Sequence, residues 1–178
     1  MPKIFRPFEA AMDFVAQWEG GFTNDKDDPG GATNFGITLQ TAKENGLDID
    51  GDGDIDVDDM NKMTPEAALA VYKNKYWSPL FVIPNLPWNV AIVAFDAAVN
   101  CGVEHAKKWA QDALKTQNPV RAINEYRRTY YNSIIARNPT LAKYRKGWNN
   151  RVNDLSKFVD ILDRDLKDGI IAEKPQSI

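Results

Sequence analysis

The sequence predicts a mainly α-helical fold with one small lobe made of a loop or a short hairpin. Apolar residues recur at helical spacing in several separate stretches, and the nearly continuous apolar segment 88–100 has the length of a buried helix. Proline and Asn-Gly pairs separate these stretches. A chain of 178 residues, of which 43% are hydrophobic, can bury a core, so we expect one globular unit with roughly five to eight helices.

The overall charge argues against a nucleic-acid partner. The formal net charge is −3, whereas proteins that bind nucleic acids usually present a basic surface. No segment approaches the length of a membrane span, and the first residues lack the apolar core of a signal peptide. We therefore expect a monomer, made in the cytoplasm, without stable insertion into a membrane. The single cysteine, Cys101, follows small apolar residues and is predicted to be a buried thiol.

The first predicted helix ends beside a glutamate and an acidic loop. Its apolar face consists of Phe8, Ala11, Met12, Val15 and Trp18. Glu19 follows at the helix end, where two glycines permit the chain to leave the helix. The segment 28–31, Asp-Pro-Gly-Gly, then predicts a tight turn. A carboxylate is thus expected at the end of a rigid helix, next to a polar loop.

This arrangement suits general acid catalysis. Apolar walls from Trp18 and Phe22 would raise the pKa of Glu19, so that it keeps a proton to donate. Carboxylates on the polar loop would stay ionised, and Asp28 or Thr33 is a candidate to hold a water or to stabilise positive charge. Spacing alone leaves an alternative, in which Glu19 is a solvated helix end and the loop an ordinary turn.

The motifs in this stretch resemble a known family. Glu-Gly-Gly-Phe at 19–22, Asp-Pro-Gly-Gly-x-Thr at 28–33 and Phe-Gly-Ile-Thr at 35–38 resemble the signature of glycoside hydrolase family 108, which are N-acetylmuramidases. The resemblance implies a lysozyme-like helical domain in which Glu19 protonates the glycosidic oxygen of peptidoglycan. The bond would be the β-1,4 linkage between N-acetylmuramic acid and N-acetylglucosamine. Candidate substrate-binding residues are Trp18, Phe22, Asp25, Phe35, Tyr76, Trp77 and Asn100.

Several of these candidates keep a structural alternative. Aromatic residues such as Tyr76 and Trp77, at the end of a predicted helix, stack on sugars or belong to the core or its rim. Asp96 and Asn100 interrupt the apolar segment 88–100, and each is either a buried anchor or a substrate contact. Asp25 and Asp27 are also compatible with a solvated loop.

Residues 48–59 have the pattern of a calcium-binding loop. Aspartates occupy positions 1, 3, 5, 9 and 12, and Gly53 stands at position 6, where a sharp turn is needed. Asp54, at position 7, would add a carbonyl oxygen. Asp59 replaces the usual glutamate at position 12, which resembles dockerin loops. We predict a structural Ca²⁺ held by Asp48, Asp50, Asp52, Asp54, Asp56 and Asp59, the alternative being a metal-free acidic turn.

The rest of the chain predicts further helices. Thr38 would cap a helix ending at Glu44, and Thr64 with Pro65 would begin another that runs to the Tyr-Trp pair. Helices are also predicted over 88–100, 104–114, 119–136 and from about 152 to Gly169. Three arginines of the helix over 119–136 are predicted on its outer side: Arg121, Arg127 and Arg128. A basic cluster with Tyr144 and Trp148 interleaved suits an acidic glycan, or is a solvated face: Lys143, Arg145, Lys146 and Arg151.

These observations predict a catalytic region over 1–100 and a helical segment over 101–178 packed on it. The resemblance identifies the second part as a shortened region similar to a peptidoglycan-binding segment. Action on the wall then requires a phage pore (holin) or a dedicated export route. The alternatives are a calcium-stabilised wall-binding or secretion-assisting module that does not cleave, and a dockerin-like scaffold partner, which would need a second calcium loop.

Overall fold

The computed structural model describes residues 3–18 and 32–173. Eight α-helices lie within these residues, with two small two-stranded sheets, so the mainly α fold class is confirmed. In chain order the elements are β1 (Lys3–Phe5), α1 (Pro7–Ala16), β2 (Thr33–Asn34), β3 (Ile37–Thr38), α2 (Leu39–Glu44), α3 (Val57–Lys62), α4 (Pro65–Tyr72), α5 (Trp88–Cys101), α6 (Val103–Ala113), α7 (Pro119–Arg137), α8 (Arg145–Lys167) and β4 (Ile171–Glu173).

The chain divides into two compact units, where the sequence suggested one. The helical unit comprises Met1–Phe14 and Tyr76–Ile178, and the loop unit comprises Val15–Lys75. The predicted functional boundary after residue 100 falls inside the helical unit, within the last turn of α5. A division of function at that point stays a prediction.

The helical unit is built around α5. Ten of the fourteen residues of α5 are buried, and α6, α7 and α8 pack against it. The continuous apolar composition of α5 explains this position, because a helix that is apolar on all sides must be covered on all sides. The Phe95 ring of α5 meets the rings of Phe8 and Trp77, with centroid distances of 5.9 and 5.5 Å.

The termini of the described chain meet in a parallel pair of strands that the sequence did not predict. β1 pairs with β4, with Lys3 opposite Ile171 and Phe5 opposite Glu173. Gly169, with a φ of 70°, ends α8 as expected and directs the chain into β4. Glu173 is the last residue of β4, and residues 174–178 lie outside the described part.

The loop unit contains a hairpin and three short helices. Thr38 caps α2 by accepting a hydrogen bond from the Thr41 N–H at 3.2 Å, and Thr64 caps α4 through the Ala67 N–H at 3.2 Å. Both caps were predicted. The helix α3 was not, because its first three residues belong to the acidic loop and its six residues carry little apolar periodicity of their own.

Among the described residues, no helix is both long and apolar enough to cross a bilayer.

Candidate active site and calcium loop

The helix predicted to lead to the catalytic glutamate ends earlier than its apolar pattern indicated, because Trp18, expected on the buried face of this helix, lies beyond α1 and is exposed. α1 closes at Ala16, and the Trp18 N–H donates to the Val15 carbonyl at 2.9 Å. The Trp18 side chain is 36% exposed, so part of its indole faces solvent next to Glu19 in the sequence. Glu19, Phe22, Asp25 and Asp28 lie outside the described residues, and their predicted roles stay predictions.

Thr33 lies on a short, tightly turned hairpin. Thr33 pairs with Thr38 and Asn34 with Ile37 across β2 and β3. The two turn residues both have positive φ, 49° for Phe35 and 73° for Gly36, as a type I′ turn requires. A left-handed conformation is uncommon for phenylalanine, so contacts elsewhere must hold it. The structure thus supplies the short hairpin that the sequence suggested near the active-site lobe.

Two side-chain hydrogen bonds fix this hairpin to the helices of the loop unit. The buried Asn34 donates from Nδ2 to the Met60 carbonyl of α3 at 2.8 Å. The Tyr72 hydroxyl of α4 donates to the Phe35 carbonyl at 3.0 Å. Together they determine where the strand carrying Thr33 sits within the unit. Phe35 itself is half-buried, and its predicted contact with substrate stays a prediction.

The aromatic candidates in the helical unit differ in exposure. Trp77 is 8% exposed, and its ring lies 5.4 Å from that of Phe8 and 5.3 Å from that of Phe81. These contacts give Trp77 a packing role, the structural alternative that the sequence left open. Tyr76 is half-buried in the π-helical segment Lys73–Trp77. Asn100 is exposed and donates from Nδ2 to the Asp96 carbonyl at 2.8 Å. Glycan contact by any of them stays a prediction.

The acidic loop is folded by hydrogen bonds between its carboxylates and its own backbone. Asp48 accepts from the Gly51 N–H at 2.7 Å and from the Gly53 N–H at 3.1 Å. Asp50 and Asp52 each accept from the N–H two residues ahead, at 3.3 and 3.1 Å. Gly53 has a φ of 97°, which confirms the turn expected at position 6.

The last predicted ligand, Asp59, closes the loop onto α3. Its side chain is 1% exposed and accepts from the Ile49 N–H at 2.5 Å and from the Asp56 N–H at 2.8 Å. Asp56 in turn accepts from the Asp58 N–H at 2.7 Å. Asp56 and Asp59 also form a capping box at the start of α3, in which each side chain accepts from the backbone N–H of the other residue. Backbone hydrogen bonds, first from Asp56, lower the pKa of Asp59.

The six predicted ligands gather in two groups of three. Each group brings one carboxylate oxygen per residue within 4.8 Å of the others: Asp48, Asp50 and Asp52 in the first, Asp54, Asp56 and Asp59 in the second. Repulsion from Asp52 raises the pKa of Asp54. The Lys62 ammonium lies 2.7 Å from Asp50 Oδ2 and lowers the pKa of Asp50. An oxygen-only donor set with excess negative charge fits a hard cation such as Ca²⁺.

In the helical unit, Asp96 is the centre of a buried ionic cluster. Its Oδ1 accepts from Arg151 Nε at 3.0 Å and from Arg151 Nη2 at 2.7 Å, and Arg127 Nη1 lies 2.8 Å from its Oδ2. Burial by itself lowers the pKa of Arg127, but neighbouring charges, above all Asp96, outweigh it, so the pKa is raised. Asp96 is therefore a structural anchor, one of the two roles that the sequence left open.

Two arginine placements predicted from the sequence are wrong. Arg127, expected on the outside of its helix, is 0% exposed. Arg151, assigned to a basic cluster that would bind an acidic glycan or form a solvated face, is buried. The signal was present in Asp96, since a lone carboxylate in an apolar helix needs a buried cation. Cys101 is buried as predicted, with Sγ 3.7 Å from the Tyr131 hydroxyl, and burial raises the pKa of its thiol.

Comparisons with known proteins identify the family. The structure is similar to that of Brucella abortus SagA, with a TM-score of 0.68 and 24% sequence identity over 89% of this chain and 96% of that one, which confirms the fold. No curated protein matches the sequence. The profile of the family described as Glycosyl hydrolase 108 matches residues 12–102, just over half of the chain, from the middle of α1 to the end of α5. The chain therefore belongs to glycosyl hydrolase family 108 and is a glycoside hydrolase that acts on peptidoglycan.

Proposed function

We propose that the chain is a muramidase that cleaves the β-1,4 bond between N-acetylmuramic acid and N-acetylglucosamine, with Glu19 as the general acid. The observation that carries the proposal is the family match over 12–102, because this span contains the Glu-Gly-Gly-Phe and Asp-Pro-Gly-Gly-x-Thr motifs. The elements on either side of these two motifs support the proposal. α1 ends at Ala16, shortly before the first motif, and the anchored β2–β3 hairpin begins at Thr33, the last residue of the second.

In this mechanism Glu19 donates its proton to the glycosidic oxygen as the bond breaks. The partly exposed Trp18 indole, next to it in sequence, provides apolar surface that favours the protonated carboxyl. Asp28 or Thr33 holds the attacking water or stabilises the developing positive charge. The hairpin bonds of Asn34 and Tyr72 support Thr33 in this role, because they limit the motion of its strand.

The decisive test compares Glu19→Gln with Glu9→Gln on purified peptidoglycan. Glu9 lies in the first turn of α1, is exposed and pairs only with Arg6 among the described contacts, so its variant is a matched control. We expect Glu19→Gln to lower turnover by about 10²- to 10⁴-fold, as for loss of a general acid, and Glu9→Gln to be close to wild type. The measurement is the release of reducing muramic acid ends, identified chemically.

Two results would contradict the proposal. If Glu19→Gln still clears the suspension, the acid is another group. If the wild type sediments with the wall and releases no reducing ends, the chain binds the wall without cleaving this bond. Asp25→Asn, Asp28→Asn and Thr33→Ala, measured in the same assay, would rank the second group, and the anomer of the released sugar would give the stereochemistry.

We also propose that the loop 48–59 binds Ca²⁺ as a structural ion. Its carboxylates would hold the cation, which would offset their mutual repulsion and fix the start of α3. That helix carries Met60, whose carbonyl holds Asn34 of the hairpin. The test is calorimetric titration with Ca²⁺ of the wild type, of Asp48→Asn/Asp52→Asn and of Asp58→Asn, a control at a position that is not a predicted ligand. Binding lost in the double variant alone supports the proposal, and equal behaviour of all three contradicts it.

A further inference from the structure

The stretch that joins α7 to α8 concentrates positive charge in a chain that is acidic overall. Residues 126–153 contain seven lysines and arginines and no aspartate or glutamate, although the whole chain has 25 acidic and 22 basic residues. Three of the seven have acidic partners. Arg127 and Arg151 pair with Asp96, and Arg128 pairs with a glutamate one turn before it. The other four account for the excess positive charge.

These four cations lie at the corner between the two helices, residues 137–148. Each is exposed, and within residues 3–18 and 32–173 none forms an ion pair with an acidic side chain: Arg137, Lys143, Arg145 and Lys146. Three of them fall within four consecutive residues, so their charges repel one another at close range. The corner therefore presents a positive surface that an anionic partner would stabilise.

A row of aromatic rings reaches the surface at the same corner. Tyr131 is buried, and the Trp148 ring stacks on it with a centroid distance of 4.8 Å. The Tyr144 ring lies 5.8 Å from the Trp148 ring, and Tyr144 is 47% exposed. Lys143 Nζ lies 5.0 Å from the centroid of the Tyr144 ring and over its face. The row thus connects the core to an exposed, amphipathic ring that a cation accompanies.

The surface of an anionic bilayer fits both features. Lysine and arginine are attracted to acidic headgroups, and tyrosine and tryptophan favour the boundary between headgroups and hydrocarbon. An acidic glycan fits less well, because a sugar ring stacks on an open aromatic face. The rings of Tyr144 and Trp148 contact each other, and each has a second partner, Lys143 or Tyr131. A sugar would have to displace one of these contacts.

We propose that the corner 137–148 binds the surface of a bilayer that contains anionic phospholipid. Its four cations pair with headgroup phosphates, and the exposed ring of Tyr144 lies among the headgroups. Binding of this kind gains strength from buried apolar area and from electrostatic attraction together. The association is peripheral. It concerns where the chain resides rather than how it cleaves, so it does not depend on the role of Glu19.

The first test is flotation of the full wild-type chain with lipid vesicles. The anionic vesicles are phosphatidylcholine with about 30% phosphatidylglycerol, and the neutral vesicles are phosphatidylcholine alone. We expect binding to the anionic vesicles to be at least about tenfold stronger than binding to the neutral ones. Raising the salt concentration from about 0.05 M to about 0.5 M should weaken it by a similar factor, because salt screens exposed charges.

Two triple variants locate the contact. The corner variant should bind the anionic vesicles about a hundredfold more weakly, since each basic residue near such a surface contributes about fivefold. The control variant removes the same number of charges from the second half of α8 and should stay within about threefold of the wild type. All six side chains are exposed, so both variants are expected to fold, which circular dichroism would check. The corner variant is Lys143→Gln/Arg145→Gln/Lys146→Gln, and the control is Lys157→Gln/Arg164→Gln/Lys167→Gln.

The variant Tyr144→Ser tests the aromatic contact at unchanged charge. It should weaken binding to the anionic vesicles by about three- to tenfold, because the apolar surface of the ring no longer enters the headgroup layer. The matched control is Phe81→Ser, which changes a similarly exposed aromatic residue outside the corner and should keep wild-type affinity.

Any of three results in the flotation experiments would overturn the inference: equal binding to anionic and neutral vesicles, no binding to either, or an equal loss of binding in the two triple variants. Sedimentation with purified peptidoglycan tests the competing occupant. If the corner variant no longer sediments with the wall but still binds vesicles, the corner binds an acidic glycan and the bilayer proposal is wrong. If it loses vesicle binding and still sediments with the wall, the proposal is supported.

Discussion

The buried cluster around Asp96 and the acidic loop 48–59 place carboxylates in opposite electrostatic situations. Asp96 is buried between two guanidinium groups contributed by α7 and α8, each within 3.0 Å. In the loop, six carboxylates gather in two groups, and the described structure pairs them with one lysine, Lys62. The first cluster obtains its counter-charge from the chain, whereas the second is mostly folded by neutral N–H donors.

The contrast indicates what each cluster needs to be stable. A buried carboxylate is tolerated when cations are fixed around it, and removing one partner leaves uncompensated charge in the core. Exposed carboxylates tolerate one another because water screens them, but an added cation lowers their repulsion further. The helical unit should therefore be sensitive to mutation and insensitive to calcium, and the loop unit should show the reverse.

The largest effect is expected for Asp96→Asn. Loss of the carboxylate leaves Arg127 and Arg151 without their shared anion in the core, and the free energy of unfolding should fall by about 3–5 kcal/mol. The measurement is urea denaturation, with Asp112→Asn as the control, since Asp112 forms an exposed pair with Lys115. A loss below about 1 kcal/mol, or one that depends on calcium, would contradict the expectation that the Asp96 cluster is sensitive to mutation and insensitive to calcium.

Removal of calcium is expected to have the next largest effect, confined to the loop unit. At a free calcium concentration of one hundred times Kd, bound ion adds about 2.7 kcal/mol of stability, which a chelator would remove. Limited proteolysis should then cut between residues 46 and 64 faster in chelator than in calcium. The Asp48→Asn/Asp52→Asn variant should be cut at the same rate in both conditions. If the wild type is also cut at the same rate in chelator and in calcium, the calcium proposal is contradicted.

High pH should weaken the helical unit through Tyr131. Burial raises the pKa of Tyr131 to about 12, whereas an unfolded tyrosine titrates near 10. Between these values the folded chain holds more protons than the unfolded chain, so stability is complete below pH 10 and falls as pH rises towards 12, by on the order of 2 kcal/mol. The free energy of unfolding of Tyr131→Phe should not fall between pH 10 and 12, whereas that of Tyr144→Phe, changed at an exposed site, should fall as in the wild type.

The smallest expected effect is on calcium affinity in Lys62→Met. The Lys62 ammonium lies 2.7 Å from Asp50 Oδ2 and competes with a cation for that oxygen. Because Lys62 is largely exposed, its removal should tighten calcium binding by only about two- to fivefold in a calorimetric titration. Weaker binding in this variant would mean that Lys62 organises the loop for the ion rather than competing with it.

Local features of the fold were predictable because neighbouring residues determine them. The caps at Thr38 and Thr64, the buried helix α5 and the end of α8 at Gly169 follow from a few residues each. The β1–β4 pair was not predictable, because its strands are three residues long and about 170 positions apart. The burial of Arg127 was missed for a similar reason, since its partner Asp96 lies on another helix.

In the candidate site, too, some features follow from neighbouring residues and others depend on tertiary contacts. The family motifs specify residue types along the chain, and they lead to Glu19, Asp28 and Thr33 as candidates. They do not reveal that Phe35 adopts a positive φ or that the hydroxyl of Tyr72, thirty-seven residues away, holds its carbonyl. Such a contact depends on the position of α4 relative to the hairpin, which periodicity does not contain.

By itself, the sequence determined the helical class, most helix boundaries, the family and the acidic loop, because each depends on residues close together in the chain or on a linear motif. Tertiary structure decided which cations neutralise Asp96, which aromatic residues are buried, and which basic residues stay exposed between α7 and α8. These depend on helices brought together from distant parts of the chain, where burial makes an unpaired charge or an unsatisfied acceptor costly. The strongest constraints on this protein therefore arise where its helices meet.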